Sequence, residues 1–535
     1  MHDGAIDFQE VLIAALQDPQ RYPHPVDRVE RLETHISYVL LAGDYAYKIK
    51  KGIDLGFLDF RTLAARKRYC EEELRLNRRL APDLYLDVVP ITGSPDRPVF
   101  AGDGPAIEYT VKMRRFPQDH LLSRLIADGR LSRAHIDALA DQVAQFHARA
   151  PVADPADSYG TPAAIAAPAR DNFAQIRAAG AAPDAPALAA LERWTAEQLD
   201  ALDANFRRRK RGGCVRECHG DLHLGNVALI DGRVTIFDAL EFSADLRWID
   251  VINEAAFTVM DLRDRGRPDF ARRFLNRYLE HTGDYTGLAL LPFYIVYRAL
   301  VRAKVHWLRA QQPGLDDAAR MRLVAQYRAY LALAQREIEP RRPALVITHG
   351  LSGSGKTTHT QALLEAIDAV RLRSDVERKR LHGLPALART GSGIAEGVYT
   401  ADATARTYAH LLELAGHVLD AGYSVIVDAT FLQRAPRDAF RRLAATRGVP
   451  FVIVDFAVDE ATLRARLAAR AQSGRDASEA DSAVLEHQFA TQEPLAPAEL
   501  DSVERFDAAL PPDSAAAHAE WRRVRARLAT DAAQP

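Results

Sequence analysis

Two stretches of the chain combine residue types and spacings that suit phosphoryl transfer. Gly350-Leu-Ser-Gly-Ser-Gly-Lys-Thr357 has the pattern GxxxxGK[ST]. A loop of this kind turns backbone N–H groups inward, and a helix N-terminus behind it adds positive potential, so it can cradle nucleotide phosphates. Lys356 is expected to bridge the β- and γ-phosphates and Thr357 to hold Mg²⁺. Gly350, Ser352, Gly353, Ser354, Gly355 and Thr358 complete this expected ATP-binding loop. The second stretch is CHGDLHLGNVALIDGRVTIFDALEF. Asn226 follows Asp221 by five residues, and Asp238 follows Asn226 by twelve, at the end of an apolar strand. An Asp that orients or deprotonates a hydroxyl, then an Asn and an Asp for Mg²⁺, is the order of a kinase site. Ala46-Tyr-Lys48 supplies a strand lysine, and Glu72 or Glu73 can pair with it. Glu73 aligns with Tyr69, Leu76 and Leu80 and is expected to face inward. Asp250 is expected to act only as a brace.

Further candidates flank the glycine loop. Asp375 ends the second strand of its region, where open α/β sheets bind ligands, and can serve as a base or as a helix N-cap. Arg378, one helical turn on, can hold an anionic group of an acceptor. Asp428, in VIVDAT, ends the third strand and can serve Mg²⁺ or the acceptor hydroxyl. Arg464, Arg466 and Arg470 share a helix, followed by Arg475 and Asp476. Arg466 and Arg470, at i and i+4, either cover a triphosphate or are solvated surface arginines. His219 and His223 have a metal-ligand spacing, but Gly220 and Gly225 make the segment a loop, which disfavours zinc. The run 207–211 (RRRKR) is read as the solvated end of a helix, with a nucleic-acid patch as the alternative.

These residues need elements to carry them. Residues 8–18 have amphipathic helical spacing. THISYVLLA and YAYKIKK are strands joined by a hairpin at Gly43-Asp44, and Leu63–Leu80 is helical, so 28–117 reads as a small sheet with one major helix. Helices fill most of 118–338, including the Ala/Pro-rich stretch anchored by Phe173, Leu191, Trp194 and Leu199. After the hinge EPRRP, four strands alternate with helices, which means βαβ units and a parallel sheet. The expected division is 1–27, an N-terminal helix; 28–338, the first domain; 343–510, the P-loop domain; and 511–535, a tail.

The chain has 535 residues, 48% apolar and 27% charged, as a globular protein does. The 70 basic and 72 acidic residues nearly cancel, so a surface devoted to nucleic acid is possible but not favoured. Three cysteines make no disulfide framework. The start lacks a basic n-region, and the apolar stretch 287–297 is too short for a bilayer, so no membrane partner and a cytoplasmic setting are expected.

The region 345–495 resembles the small P-loop kinases: polynucleotide 5′-kinases, zeta-type toxin kinases and gluconate- or shikimate-type kinases. That resemblance implies Asp375 as base, Arg378 as acceptor clamp, and Arg466 and Arg470 as lid residues. Residues 28–335 resemble the aminoglycoside phosphotransferase and choline kinase-like family through His219-Gly-Asp221-Leu-His-Leu-Gly-Asn226 and the strand-end Asp238. The family implies a bilobal protein kinase-like fold (N-lobe 28–117, C-lobe 118–338) with ATP between the lobes. It further implies Lys48 on the phosphates, Asp221 as base, and Asn226 and Asp238 on Mg²⁺. No glycine-rich loop precedes the lysine hairpin; ETHIS stands there instead. The chain as a whole resembles bacterial proteins that fuse the two modules. The expected fold class is therefore α+β followed by α/β. The expected function is a bifunctional kinase that moves phosphate from Mg·ATP to hydroxyl groups of small molecules. The alternative keeps only the P-loop site active, on a polynucleotide 5′-hydroxyl or nucleotide-sugar, with the first domain a regulatory pseudokinase.

Overall fold

The computed structural model describes residues 3–54, 56, 58–386, 388, 399–473, 478, 480–512 and 514–531. The chain forms two compact units, residues 1–265 with 293–332, and residues 266–292 with 333–535.

The first unit opens on a six-stranded antiparallel sheet of order β1-β2-β3-β6-β4-β5. The strands are β1 (Val29–Glu33), β2 (Ser37–Ala42), β3 (Tyr45–Lys50), β4 (Tyr85–Ser94), β5 (Arg97–Phe100) and β6 (Glu108–Arg114). The expected hairpin joins β2 to β3, and Gly43 turns it at φ +56°. A Cβ there would lie 2.7 Å from the Pro25 carbonyl, so the turn needs glycine. β1 escaped the sequence reading because VERLE is charged and only partly buried. The helix Leu63–Asn77, capped by Thr62, buries Cys70, Glu73, Leu76 and Asn77. The N-terminal helix Asp3–Ala15 is not a separate element: Leu12 and Ile13 pack in one core with Tyr38, Leu40, Tyr47 and Ile49.

A helical layer and two short ribbons follow. The ribbons pair β7 (Val215–Glu217) with β10 (Trp248–Asp250), and β8 (Val227–Ile230) with β9 (Arg233–Ile236). The Ala/Pro-rich stretch forms the helices Pro162–Ala178 and Ala185–Ala201, which bury Phe173, Leu191 and Leu199. The basic run ends the helix Asp203–Arg211 with Arg207, Arg208 and Arg211 exposed, as expected, but two of its members depart from a solvated helix end. Arg209 and Lys210 are buried, Arg209 on Asp250 at 2.6 and 2.8 Å and Lys210 on the carbonyls of Asp157 and Tyr159. Those partners lie outside the helix, so the local pattern gave no sign of them.

The second unit is built on a five-stranded parallel sheet of order β12-β13-β11-β14-β15. The strands are β11 (Leu345–His349), β12 (Ala369–Arg373), β13 (Ser424–Asp428), β14 (Phe451–Ala457) and β15 (Val503–Asp507). β11 sits between β13 and β14, which directs the following glycine loop to the carboxyl edge of the sheet's centre. β15 was not anticipated, since VERFD contains one buried residue, Phe506. Residues 511–535, read as a tail, contain the helix Ala515–Asp531. Its Trp521 and Val524 enter the core beside Phe456, and the Trp521 and Phe506 rings lie 4.4 Å apart. Residues 266–292, read as part of the first domain, group with this unit instead. Their helix Pro268–Thr282 lies along β12, the edge strand. Asn276 donates to the Ala369 carbonyl at 2.9 Å and accepts from the Arg371 amide at 2.8 Å. One side-chain amide thus replaces a missing neighbour strand, the kind of cover that exposed edges require. Among the described residues no helix is long and apolar enough to cross a membrane.

Two candidate phosphoryl-transfer sites

In the first unit, β3 brings Lys48 between β2 and β6, with its ammonium turned toward the helix Leu63–Asn77. Lys48 Nζ lies 2.7 Å from Glu73 Oε1 and 2.5 Å from Asp238 Oδ1. Three candidates from three elements therefore converge, with Glu73 rather than Glu72 inside; Glu72 pairs with Arg75 and Arg247. Burial opposes the charge on Lys48, but Asp238 and Glu73 outweigh it and hold the ammonium's pKa well above its usual range. Asp238 sits at φ +64°, a strained position for a side chain of its kind. Its amide donates to the Tyr85 hydroxyl at 3.1 Å, and Asn77 Oδ1 accepts from the Ala239 amide at 2.8 Å. Sequence reasoning missed Lys50. Two residues beyond Lys48 and on the same strand face, it is fully buried, lies 2.7 Å from Glu73 Oε2, and pairs with Glu241. The K-I-K spacing was the available signal.

Asn226 Nδ2 donates to the Asp221 carbonyl and to Asp221 Oδ2, each at 3.0 Å. His223 Nε2 is 3.4 Å from the same Asp221 oxygen. Burial works against the Asp221 carboxylate, but His223, His219 and Arg302 outweigh it and keep the group ionised well below the usual range. His219 is buried, with Nε2 2.9 Å from the Phe237 carbonyl. It fastens the loop to the Asp238 strand end, and the one group of donor atoms among the described residues close enough to share a metal ion, on His147, Cys218 and Glu254, includes neither His219 nor His223.

The helix Val251–Asp264 holds this loop in a way the sequence did not suggest. Glu254 Oε1 accepts from the Gly220 amide at 2.7 Å, Thr258 donates to the Leu222 carbonyl at 3.0 Å, and Asp261 accepts from the Leu224 amide at 2.8 Å. Positions 254, 258 and 261 share one helix face and grip alternate loop residues. Arg298 donates to the Gly220 carbonyl at 3.0 Å. Asp250 caps the helix through the Ile252 amide, so its expected bracing role has a partner in Arg209. Ahead of the lysine hairpin, Thr34 Oγ1 accepts from the Ser37 amide at 3.0 Å and closes the turn without glycine.

In the second unit the glycine loop leads from β11 into the helix Lys356–Ala366. Gly350, Gly353 and Gly355 lie at φ +141°, +85° and +90°. A Cβ on Gly353 would come 3.2 Å from the Leu463 carbonyl. Lys356 Nζ donates to the Gly350 and Leu351 carbonyls at 2.8 Å and lies 3.3 Å from Ser354 Oγ. Thr357, followed by Thr358 on the same helix, donates to Asp428 Oδ2 at 2.6 Å. Ser352 is clamped by Gln488, which accepts from its amide at 2.9 Å and donates to its hydroxyl at 3.0 Å. Gln488 lay outside every motif.

Asp375 is half-buried at the second position of the helix Ser374–Leu381; the N-cap position belongs to Arg373. Arg378 donates to Thr404 Oγ1 at 3.1 Å and lies over the Tyr399 ring. Asp375 and Arg378 both act on the half-buried Tyr408, whose phenol pKa is raised by desolvation and whose hydroxyl accepts from the Phe431 amide at 3.2 Å. Phe431, just past Asp428, is strained at φ +48°. Arg466 donates to the Ser354 and Ala508 carbonyls at 3.2 and 2.7 Å, over the glycine loop. Arg464 faces outward on Glu460 and Glu486. Arg470 lies on the helix Glu460–Ser473, with its side chain outside the described residues, as are Arg475 and Asp476 entirely.

Comparison with known proteins gives two matches, the first of which runs on through residues 266–291 that group with the second unit. Residues 59–291 match the family model "Phosphotransferase enzyme family", and residues 345–495 match "AAA domain". Among solved structures, an amicoumacin kinase in complex with AMP-PNP, Ca²⁺ and Ami is 14% identical, covers 62% of this chain and 96% of its own, and has a TM-score of 0.39. A gluconokinase from Sinorhizobium meliloti is 23% identical, covers 36% of this chain and 98% of its own, and has a TM-score of 0.26. Proteins of Mycobacterium tuberculosis and Mycobacterium bovis that carry the name "Uncharacterized protein" are 32% identical over 466 residues, 86% of this chain and 91% of theirs. The chain belongs to the family of these mycobacterial proteins, and it joins a phosphotransferase-family kinase module to a P-loop kinase module.

Proposed function

We propose that the chain is a bifunctional ATP-dependent phosphotransferase, with one site in each unit, each acting on a hydroxyl of a small molecule. One parallel carries the reading: each unit sets a strand-end carboxylate against a side chain suited to the nucleotide's phosphates or its metal, Asp238 on Lys48 at 2.5 Å and Asp428 on Thr357 at 2.6 Å. The oxygen donors Asn226 and Asp238, and separately Thr357 and Asp428, suit Mg²⁺, and the strain at Asp238 is of the kind kept where a ligand uses it. Bound Mg²⁺ neutralises charge on the phosphates. In the first site Lys48, fixed by Glu73, meets the phosphates, and Asp221 orients the acceptor hydroxyl and takes its proton. In the second, residues 350–358 wrap the phosphates, Asp375 serves as base, Arg378 holds the acceptor, and Arg466 covers the loop. The Thr357 contact favours a metal role for Asp428 over an acceptor role.

The first acceptor is an anionic hydroxyl compound rather than a polycationic aminoglycoside. Arg298, Arg302 and Arg309 recur along one face of the helix Leu291–Ala310. Arg298 holds Gly220, Arg302 acts on Asp221, and Arg309 acts on His35 in the β1–β2 turn. Of the acids on this side, Asp261 is engaged by the Leu224 amide and Arg265, and Asp264 by Tyr330. A polycation would meet like charge here.

The test offers γ-labelled ATP and a metabolite extract to wild type, Asp221→Ala and Lys356→Ala. Two working sites lose different labelled products in the two variants. No transfer by wild type to any acceptor would sink the reading. The alternative, a P-loop enzyme with a regulatory first unit, is favoured by the glycine-free turn at Thr34. It predicts that Asp221→Ala keeps every product, and that oligonucleotides bind with steep salt dependence.

A further inference from the structure

The helix Pro268–Thr282 lies outside the stretch matched as the AAA domain, yet it reaches the P-loop site. Asn276 fixes β12 by its backbone, as described above. One turn on, Glu280 Oε1 lies 2.7 Å from Arg373 Nη1, at the carboxyl end of β12. The Arg373 Nε is 4.0 Å from Asp428 Oδ2, and that same oxygen accepts from Thr357 at 2.6 Å. Both Glu280 and Arg373 are largely buried, with side chains 12% and 15% exposed, so neither is screened as a surface ion would be. Arg371 has Nη2 4.0 Å from the other Glu280 oxygen, and its hydrogen bonds go elsewhere, to the Thr357 carbonyl at 2.8 Å and Gln361 Oε1 at 3.1 Å. Arg373 is thus the guanidinium that could close on Asp428, and Glu280 is the group that draws it aside.

We propose that Glu280 is a positioning residue of the P-loop site: by holding Arg373 it keeps that cation from pairing with Asp428 and leaves the carboxylate available to a divalent ion. This rests on the reading above that the P-loop unit binds a metal–nucleotide complex. An arginine that pairs directly with a metal-binding carboxylate competes with the metal for the same lone pairs. Glu280 touches neither nucleotide nor metal; it acts through Arg373.

The test uses the full chain carrying Asp238→Asn, which silences the first unit's metal site, and follows Mn²⁺ binding in the presence of ADP by the loss of the free-ion paramagnetic resonance signal. Glu280→Gln is expected to weaken Mn²⁺ binding about 10- to 100-fold, the usual effect of a group behind a metal ligand. Metal-free ADP binding stays unchanged. Glu280→Gln combined with Arg373→Met recovers Mn²⁺ binding, and Arg373→Met alone binds at least as tightly as the parent. The last variant keeps the test decisive where Glu280→Gln fails to fold. Unchanged Mn²⁺ binding in Glu280→Gln, equal loss of metal-free ADP binding, or a double variant no better than the single one would overturn the proposal. A parent that binds no Mn²⁺·ADP overturns the function reading itself, and is recognised because it precedes any variant.

Discussion

The Glu254 carboxylate accepts the Gly220 amide at 2.7 Å, one residue ahead of Asp221, while its other oxygen meets His147 Nε2 at 2.8 Å. A helix carboxylate in the interior thereby sets the backbone that leads into Asp221, the base proposed for the first site. The Glu254 charge survives burial because His147, His219 and the Gly220 amide outweigh the desolvation and lower its pKa.

Glu254→Gln is expected to retain the fold and lose about 100-fold in the turnover assigned to Asp221, the cost of displacing a reacting group by about an ångström. The measurement is transfer of label to the product that Asp221→Ala abolishes. Equal turnover in Glu254→Gln and wild type would show that the loop is set by other contacts.

Lys50 and Glu241 form a buried pair that also shares Glu73. Lys50→Met alone leaves two carboxylates facing each other and is expected to cost about 3–5 kcal/mol; Lys50→Met with Glu241→Leu costs much less. Urea unfolding of the single and double variants checks this, and additive losses would refute it.

His306 stacks on Tyr330 with ring centroids 5.6 Å apart, and burial with Arg302 and Arg309 lowers its pKa from the ordinary 6.5 to about 4. The unfolded chain therefore takes up this proton before the folded one does. The contribution of His306 is complete above about pH 6.5 and is lost progressively as pH falls toward 4. His306→Gln is expected to flatten the fall of the unfolding temperature over that window, relative to wild type. Identical pH curves for the two proteins would contradict the burial argument.

Trp521→Ala empties a core position between Phe506 and Phe456 and is expected to cost about 3–5 kcal/mol. Deletion of 511–535 is expected to leave the P-loop unit unfolded. Thermal melts read both, and a deletion variant with an unchanged melt would restore the description of this segment as a tail.

What the sequence made legible were residues whose chemistry is written in local spacing. The glycine loop, the Asp221–Asn226–Asp238 order and the inward choice of Glu73 depend on intervals within one strand, loop or helix. Four parallel strands were readable because Val- and Ile-rich runs alternate with helices. What escaped was set by partners distant in sequence. Glu254, Thr258 and Asp261 look like polar residues on an apolar helix until a loop lies along them. Lys210 looks solvated until the carbonyls of 157 and 159 close on it. β15 carries one buried side chain, and its strand state comes from pairing with β14.

The placement of residues 266–292 bears on how the gene can be divided. The second unit is encoded in two pieces, interrupted by the stretch that specifies 293–332. A clone that starts at the Pro-rich hinge would carry every recognisable P-loop motif and still omit Asn276 and Glu280. One cut cannot separate the two units, and an inactive or insoluble C-terminal fragment would say nothing against the function proposed for the whole chain.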